Sequence, residues 1–484
     1  MAEPTPPTPA LPNGLVCVVK RDCPTCELVA PVLVQLSAKA ALKVISQDDP
    51  TFPPGVNQII DDRDLSLSWH HDINSVPTLL RVDNGQIVAR AEGWQREDWE
   101  HLTGLTDLGP GLPDWRPGCG SLSVDPDRQA SLRTRFEGDA LSARRVNIAD
   151  AEDVMEAMQA RGWSDGLPLV PPTAARVLAM LDGTSRGPDE IVSVVPPDLA
   201  PCTVEKAAIN AVMAGCKPEY FPVVITALEA VCTDRFNMHG VLATTMPVGP
   251  VLIVNGPIRR RIGMNSAINV FGQGNRANST IGRALQLIVR NVGGGRPGEV
   301  DRATHGNPIK TGLAFAEDEE GSPWTPLSTD FQIELGTDAV TVFCAEGPRC
   351  VVDQLARDPE ELARSFAACL RTVHHPKLPV AFDALLAVSP EHSRVFADAG
   401  WSKERLVARL HELTLLPMAD IVRGADGIAE GVPEGIDLET LPKFRPGGLL
   451  VVHCGGGAGL FSSIFAGWAS GPIGSEPVAR EIRA

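Results

Sequence analysis

The chain has 484 residues, 43% hydrophobic and 21% charged, with a formal net charge of −17. That length exceeds one ordinary core and calls for two or three domains. No basic stripe with interleaved aromatics is visible, so nucleic acid is not expected as a partner. Residues 1–13 lack the basic and apolar regions of a signal peptide, and no apolar run reaches the length of a membrane span. A cytoplasmic protein without membrane contact is expected. Eleven cysteines, an odd number without regular spacing, are expected to be reduced and mostly buried, with a few catalytic.

In chain order, Leu15-Val16-Cys17-Val18-Val19-Lys20 reads as a buried strand. Residues 27–40 are apolar at helical spacing, with Pro31 inside, and residues 41–46 read as a second strand. A helical stretch precedes Val76-Pro77-Thr78. Residues 78–82 and 86–90 flank Asn84-Gly85 and predict a hairpin. Residues 95–102 predict a closing helix. Residues 108–117, LGPGLPDWRP, are rich in Gly and Pro and predict a linker. Beyond it, helices are expected at 151–161, 173–181, 204–215 and 222–232, and strands at 251–255, 339–344, 382–388 and 449–453. Their alternation predicts an α/β architecture. No repeat with a period of 20–50 residues is visible.

Cys23-Pro24-Thr25-Cys26 stands between a strand and a helix start. The free N–H groups of a helix N-terminus stabilise a thiolate, here on Cys23. The one-turn spacing lets Cys26 resolve a mixed disulfide. Half of a zinc site is the alternative, with Cys17, His70 and His71 as local ligands. Element order, motif placement, Val76-Pro77-Thr78 and the later Gly93 resemble the thioredoxin-like family over about one-fifth of the chain. That resemblance implies a redox-active dithiol faced by a cis-proline, Pro77. Asp22 stands where classical members carry Trp, and its carboxylate is expected to oppose thiolate formation at Cys23.

In the larger region five phrases recur in order: GWSDGLPLVPPT at 162–173, EKAAINAVMAGCKPEY at 205–220, Asn255-Gly256-Pro257, GQGNRANSTIGR at 272–283, and Pro390-Glu391-His392 with Ala399-Gly400-Trp401-Ser402-Lys403. Together they resemble the UGSC family, named for a selenocysteine-Gly-Ser-Cys motif in some members. The motif falls on Cys119-Gly120-Ser121, with Leu122 in place of the last Cys. A position that accepts selenium implies nucleophilic or redox chemistry at Cys119. The flanking Pro117-Gly118 and Gly120-Ser121 predict an exposed turn rather than a core segment. Cys202, Cys216, Cys232, Cys344, Cys350 and Cys369 read as core residues, any one of which could resolve Cys119.

Two glycine-rich loops and one histidine complete the candidates. The loop at 272–280 precedes a predicted helix at 281–292. Asn275, Arg276 and Arg283 there could hold an anion, with Ser279 or Thr280 capping. Leu449 to Gly459 reads as strand, glycine loop, then a helix at 460–465, so that Cys454 could be a second reactive thiol and Gly455 and Gly456 a backbone nest. His392, at a helix start, is a candidate acid/base or a capped surface residue. Neither loop has nucleotide-binding spacing, so no cofactor is expected.

The expected organisation is a thioredoxin-like domain at 14–107, a linker at 108–118 and an α/β catalytic region at 119–484. The expected function is a thiol-dependent oxidoreductase. Cys119 acts on a small electrophilic substrate held with Ser121 and Pro77, Cys23 and Cys26 re-reduce it, and an external disulfide reductase regenerates the dithiol. A homo-oligomer is expected. The rivals are a thiolate-dependent lyase cleaving a carbon–heteroatom or carbon–metal bond, and a thiol or soft-metal carrier.

Overall fold

The computed structural model describes residues 9–137, 141–149 and 152–483, and every statement below concerns these. The chain is an α/β protein that divides into two compact units, Met1–Ala140 and Leu141–Ala484. Among the described residues no helix is long and apolar enough to cross a membrane.

The first unit is built on a mixed sheet of order β3-β2-β1-β5-β6. Its strands are β1 (Gly14–Val19), β2 (Leu42–Ser46), β3 (Ile59–Asp61), β5 (Thr78–Asp83) and β6 (Gln86–Glu92); the short β4 (Ser75–Val76) precedes β5. β1 runs parallel to β2 and antiparallel to β5. Val16 to Val19 are buried on both faces of the sheet, which accounts for their unbroken apolar run. Asn84 and Gly85 both take positive φ, 50° and 76°, as the two-residue hairpin turn between β5 and β6 requires. Helix α1 (Pro24–Lys39) runs through Pro31 and buries Val29, Val32, Leu33 and Leu36 against the sheet. Helices α2 (Ser66–His70), α3 (Arg96–Thr103) and α4 (Pro126–Glu137) complete the unit.

The segment expected to be a linker, 108–118, is packed into this unit. Leu108 is fully buried in its core. The Arg96 guanidinium donates to the carbonyls of Leu108, Gly109 (2.9 Å) and Leu112 (2.6 Å), and it pairs with Asp114 at 3.0 Å. Buried Trp94 donates from Nε1 to Pro113 O (2.6 Å) and meets Trp99 edge-on at 5.1 Å. Strand β7 (Trp94–Gln95) pairs with β8 (Trp115–Arg116), and β4 pairs with β9 (Cys119–Gly120). Glycine and proline here shape a strap rather than a free tether. The first unit accordingly continues past Cys119 instead of ending at 107.

The second unit contains an eight-stranded sheet whose two halves repeat one another. In the first half, Val251 of strand Gly249–Asn255 pairs in parallel with Leu313 and antiparallel with Phe343. In the second, Ala384 of strand Phe382–Val388 pairs in parallel with Leu449 and antiparallel with Ala466. The halves also exchange strands. Arg349–Val352, which follows the first half, pairs with the second half's Phe461–Ala469; Val478–Glu481, which follows the second, pairs with the first half's Ala339–Ala345. The two halves thus share one pairing pattern, parallel to one neighbour and antiparallel to the other.

Each half turns alternate residues to its own helices and to the other half. Leu252, Val254, Val340 and Val342 pack with helices Val204–Ala214, Phe221–Val231 and Arg276–Asn291. Leu386, Val388, Val451 and Ile464 pack with Pro359–Arg371, Pro390–Asp398 and Lys403–Leu413. Val251, Ile253, Phe343, Leu385, Val452 and Phe465 meet between the halves. The result is a helix–sheet–sheet–helix arrangement.

Three expected elements differ. Residues 460–465, expected as a helix, lie in strand Phe461–Ala469, because Ile464 and Ala466 alternate with Phe465 across two buried faces. The helix expected at 281–292 begins a turn earlier, at Arg276. The helix expected at 151–161 is observed as Val154–Ala160, with residue 151 outside the described residues.

Limited proteolysis of the native protein should leave 108–118 uncut, so that the N-terminal fragment extends beyond Cys119. Arg96→Ala, which frees three carbonyls, should cost about 1–3 kcal/mol and open the strap to cleavage. A first cut within 108–118 of the unaltered chain would contradict this packing.

Candidate functional site

Three cysteines converge in the first unit. Cys23 is the N-cap of α1, and its Sγ accepts the Cys26 N–H at 3.1 Å. The Cys23 Sγ also lies 3.5 Å from Val76 O, next to the cis Val76–Pro77 peptide. β4 and β9 pair antiparallel, Val76 opposite Cys119 and Ser75 opposite Gly120. This pairing brings the Cys119 thiol against Cys23. Sequence reading assigned Cys119 to the other region; the structure makes it the third thiol of the dithiol site.

The strap is held in register by close backbone packing. Thr25 Oγ1 donates to Pro117 O (2.7 Å) and Lys20 Nζ to Gly120 O (2.9 Å). A Cβ at Gly118 would collide with Ser75 Oγ, and one at Gly93, where φ is +72°, would lie 2.8 Å from Gly118 N. Glycine is therefore required at both positions for the two segments to meet. Ser121 is buried and structural. Its hydroxyl accepts from Gln47 Nε2 (2.6 Å) and shares a hydrogen bond with Ser123 (2.7 Å), while Gln47 Oε1 accepts from Leu122 N (3.0 Å).

The three thiols differ in acidity and access. Hydrogen bonds from the Cys26 thiol, then from the Cys119 thiol and the backbone, stabilise the Cys23 thiolate and bring its pKa down to about 6 against the opposing effect of burial. Exposed Asp22, expected to oppose that thiolate, turns its backbone N–H to Asp48 and leaves the low value in place. Cys26 is pushed far up by burial and by the neighbouring Cys23 thiolate. Burial, then the hydrogen bond to Cys23, raises Cys119 as well. Cys23 and Cys26 are 1% and 0% exposed, whereas Cys119 is half-buried and is the outermost of the three. His70 Nδ1 is bonded to Ser66 O and His71 Nε2 to Pro9 O, so neither is directed to the dithiol as a zinc ligand would be.

The remaining candidates belong to the second unit, and most have structural partners. Asn275 caps helix Arg276–Asn291 by accepting from Asn278 N (3.1 Å), the role expected of Ser279 or Thr280. Arg276 donates to Gly215 O (2.8 Å). Arg283 forms a two-point pair with Asp165 (2.8 Å each) and bonds Leu167 O and Pro168 O. His392 is buried, with Nδ1 on Ser462 Oγ (2.8 Å) and Nε2 on Asp353 O (2.9 Å); burial lowers its pKa. Both nitrogens are engaged, so it positions backbone rather than moving protons.

The glycine loop after strand Leu449–His453 is similarly occupied. Gly455 N donates to Ser266 O (2.8 Å), a Cβ at Gly456 would press on Ile268, and Gly459 N donates to the Glu391 carboxylate (2.6 Å). The anion expected in this loop is thus supplied by the chain itself. Cys454 is buried, and burial together with Glu317 and Asp318 raises its pKa, the reverse of thiolate activation. Fully buried Glu317, which sequence reading missed, accepts from Asn255 Nδ2 (2.7 Å) and Leu327 N (2.7 Å), and burial lifts its pKa to about 7.

Compared with known proteins, the chain matches no family model and no curated sequence.

The Cys23 thiolate should appear with a midpoint near pH 6 in thiolate absorbance of the reduced protein, and Cys119→Ala should raise that midpoint by removing one donor. Because the folded value lies below the ordinary 9.0, this thiol adds stability above about pH 9 that is lost as pH falls through about 6. A midpoint unchanged in Cys119→Ala would separate the two thiols. For Glu317 the sign is opposite. Its raised pKa favours the folded state fully below pH 4.5, and the gain is lost as pH rises through about 7. Glu317→Gln should flatten the stability profile across that window, measured by urea denaturation at several pH values.

Proposed function

We propose that the first unit is a thiol oxidoreductase centre in which electrons pass outward from Cys26 through Cys23 to Cys119. The observation that carries this reading is the placement of Cys119: half-buried, and paired through its strand with Val76, whose carbonyl lies 3.5 Å from the Cys23 Sγ. The resemblance of Cys23-Pro24-Thr25-Cys26 and Val76-Pro77 to the thioredoxin-like family supports it. The selenocysteine position of the UGSC family, which falls on Cys119, bears on the same sulfur from a separate direction.

For a small disulfide as the electrophile, the steps balance as follows. The Cys119 sulfur attacks one substrate sulfur, its proton passes to the Cys23 thiolate, and the departing thiolate recovers that proton as the first free thiol. Cys23, again a thiolate, attacks Cys119 Sγ, and the second substrate thiolate leaves. That thiolate takes the Cys26 proton, and Cys26 attacks Cys23 Sγ, expelling Cys119 as thiolate. The products are the Cys23–Cys26 disulfide and two substrate thiols. The nucleophile–base pair is thus two thiols sharing one proton, with the base set near pH 6. An external disulfide reductase returns the dithiol to its reduced state, in keeping with a cytoplasmic, reducing environment.

Cys26→Ser should halt the sequence at an intramolecular Cys23–Cys119 disulfide, detected by peptide mass spectrometry after one equivalent of a small aromatic disulfide. Cys119→Ser should slow the first turnover by about 10²-fold or more, since Cys23 is sealed from solvent. A Cys26→Ser protein that carries substrate on Cys23 while Cys119 stays free would overturn the relay.

A further inference from the structure

Helix Arg276–Asn291 is buried in the second unit and carries one polar stripe, at Arg283, Gln286 and Arg290. Spacings of three and four place these side chains on one face. Arg283 is satisfied by Asp165. Gln286 and Arg290 both line a cavity of about 340 Å³ between that helix, the start of strand Gly249–Asn255 and the loop at 295–311. Among the described residues neither side chain has a hydrogen-bond or ionic partner, and the Arg290 Nε is buried without an acceptor.

The other charges around the cavity are already matched. Asp165 is held at two points by Arg283, and Lys310 pairs with Asp301 at 2.9 Å. One positive charge, on Arg290, is left over. The carbonyl end of the helix lies nearby and favours a cation there. It does not supply an acceptor to a sealed Nε, and a buried donor without an acceptor is costly. Thr304 and His305 add polar groups to a wall otherwise made by Met238, Val241 and Leu242.

We propose that this cavity binds a small carboxylic acid, with the terminal Nη groups of the Arg290 guanidinium forked on the carboxylate and the Gln286 amide donating to it. The guanidinium plane matches a carboxylate at two points. Charge selects the same class. A single carboxylate neutralises Arg290, whereas a phosphate dianion leaves one negative charge uncompensated in a half-enclosed site. The volume suits a metabolite rather than a cofactor of nucleotide size. The site is independent of the thiols of the first unit, and nothing in it requires their chemistry.

Calorimetric titration of the full-length protein with lactate, butyrate and benzoate, and separately with inorganic phosphate, tests this assignment. At least one carboxylate should bind and raise the melting temperature as ligand linkage requires. Arg290→Gln should weaken that binding by about tenfold or more, Gln286→Leu by less, and Arg290→Lys should restore part of it. Arg235→Gln, which removes a surface pair with Glu476 away from the cavity lining, should bind as the unaltered protein does. Unliganded Arg290→Gln should melt no lower than the unaltered chain, because it loses an unpaired buried donor; circular dichroism confirms that it is folded. The proposal fails if no carboxylate binds at tens of millimolar. It fails also if Arg290→Gln binds as well as the unaltered protein, or if phosphate alone binds through Arg290.

Discussion

The first unit turns on a two-residue antiparallel pairing, Val76 against Cys119 and Ser75 against Gly120. It places a third sulfur beside a helix-capping thiolate nearly a hundred residues away in the chain. Everything around it serves that register. Gly118 and Gly93 allow the backbones to touch, Thr25 and Lys20 hold the strap's carbonyls, and Gln47 locks Ser121 behind it. The Arg96 guanidinium and the Trp94 indole bind the preceding residues to the same core. A thiolate sealed from water would normally be disfavoured by burial; here donors from two thiols and the helix N-terminus outweigh that effect and carry Cys23 to about 6.

The second unit follows a different constraint, two half-sheets of like pairing packed face to face. Each half buries one face against its helices and the other against its counterpart, and each lends its following strand to the other half. Many polar residues of this unit are engaged internally. His392 holds Asp353, Glu391 holds Gly459, and Arg283 holds Asp165. Of the charged side chains that line the cavity beside helix Arg276–Asn291, Arg290 alone among the described residues has no ionic partner.

Much of the fold was legible. The runs at 16–19, 384–388 and 449–452 are apolar because the strands are buried on both faces. Asn84-Gly85 marked its turn through the positive φ it adopts. Two misreadings share one cause. Glycine and proline at 108–118 predict a linker, although Leu108 is buried and Trp115 pairs with Gln95 in the same stretch. Glycines at 455–459 were taken for an open nest before a helix, although the residues that follow alternate as a strand does. Composition reports that a backbone turns tightly; it does not report what the turn is packed against.

The sequence by itself determined the strand–helix junction that makes Cys23 a capping thiol and Cys26 its near neighbour, because that contact spans three residues and follows from helix geometry alone. It also determined the alternating α/β order of both units. Only the tertiary structure decided that Cys119 joins that pair, that Cys454 and His392 are sealed within the other unit, and that Arg283 has a carboxylate while Arg290 has none. Each of these depends on contacts between residues far apart in the chain, where a side chain's partner is set by sheet register and helix packing rather than by its neighbours in sequence.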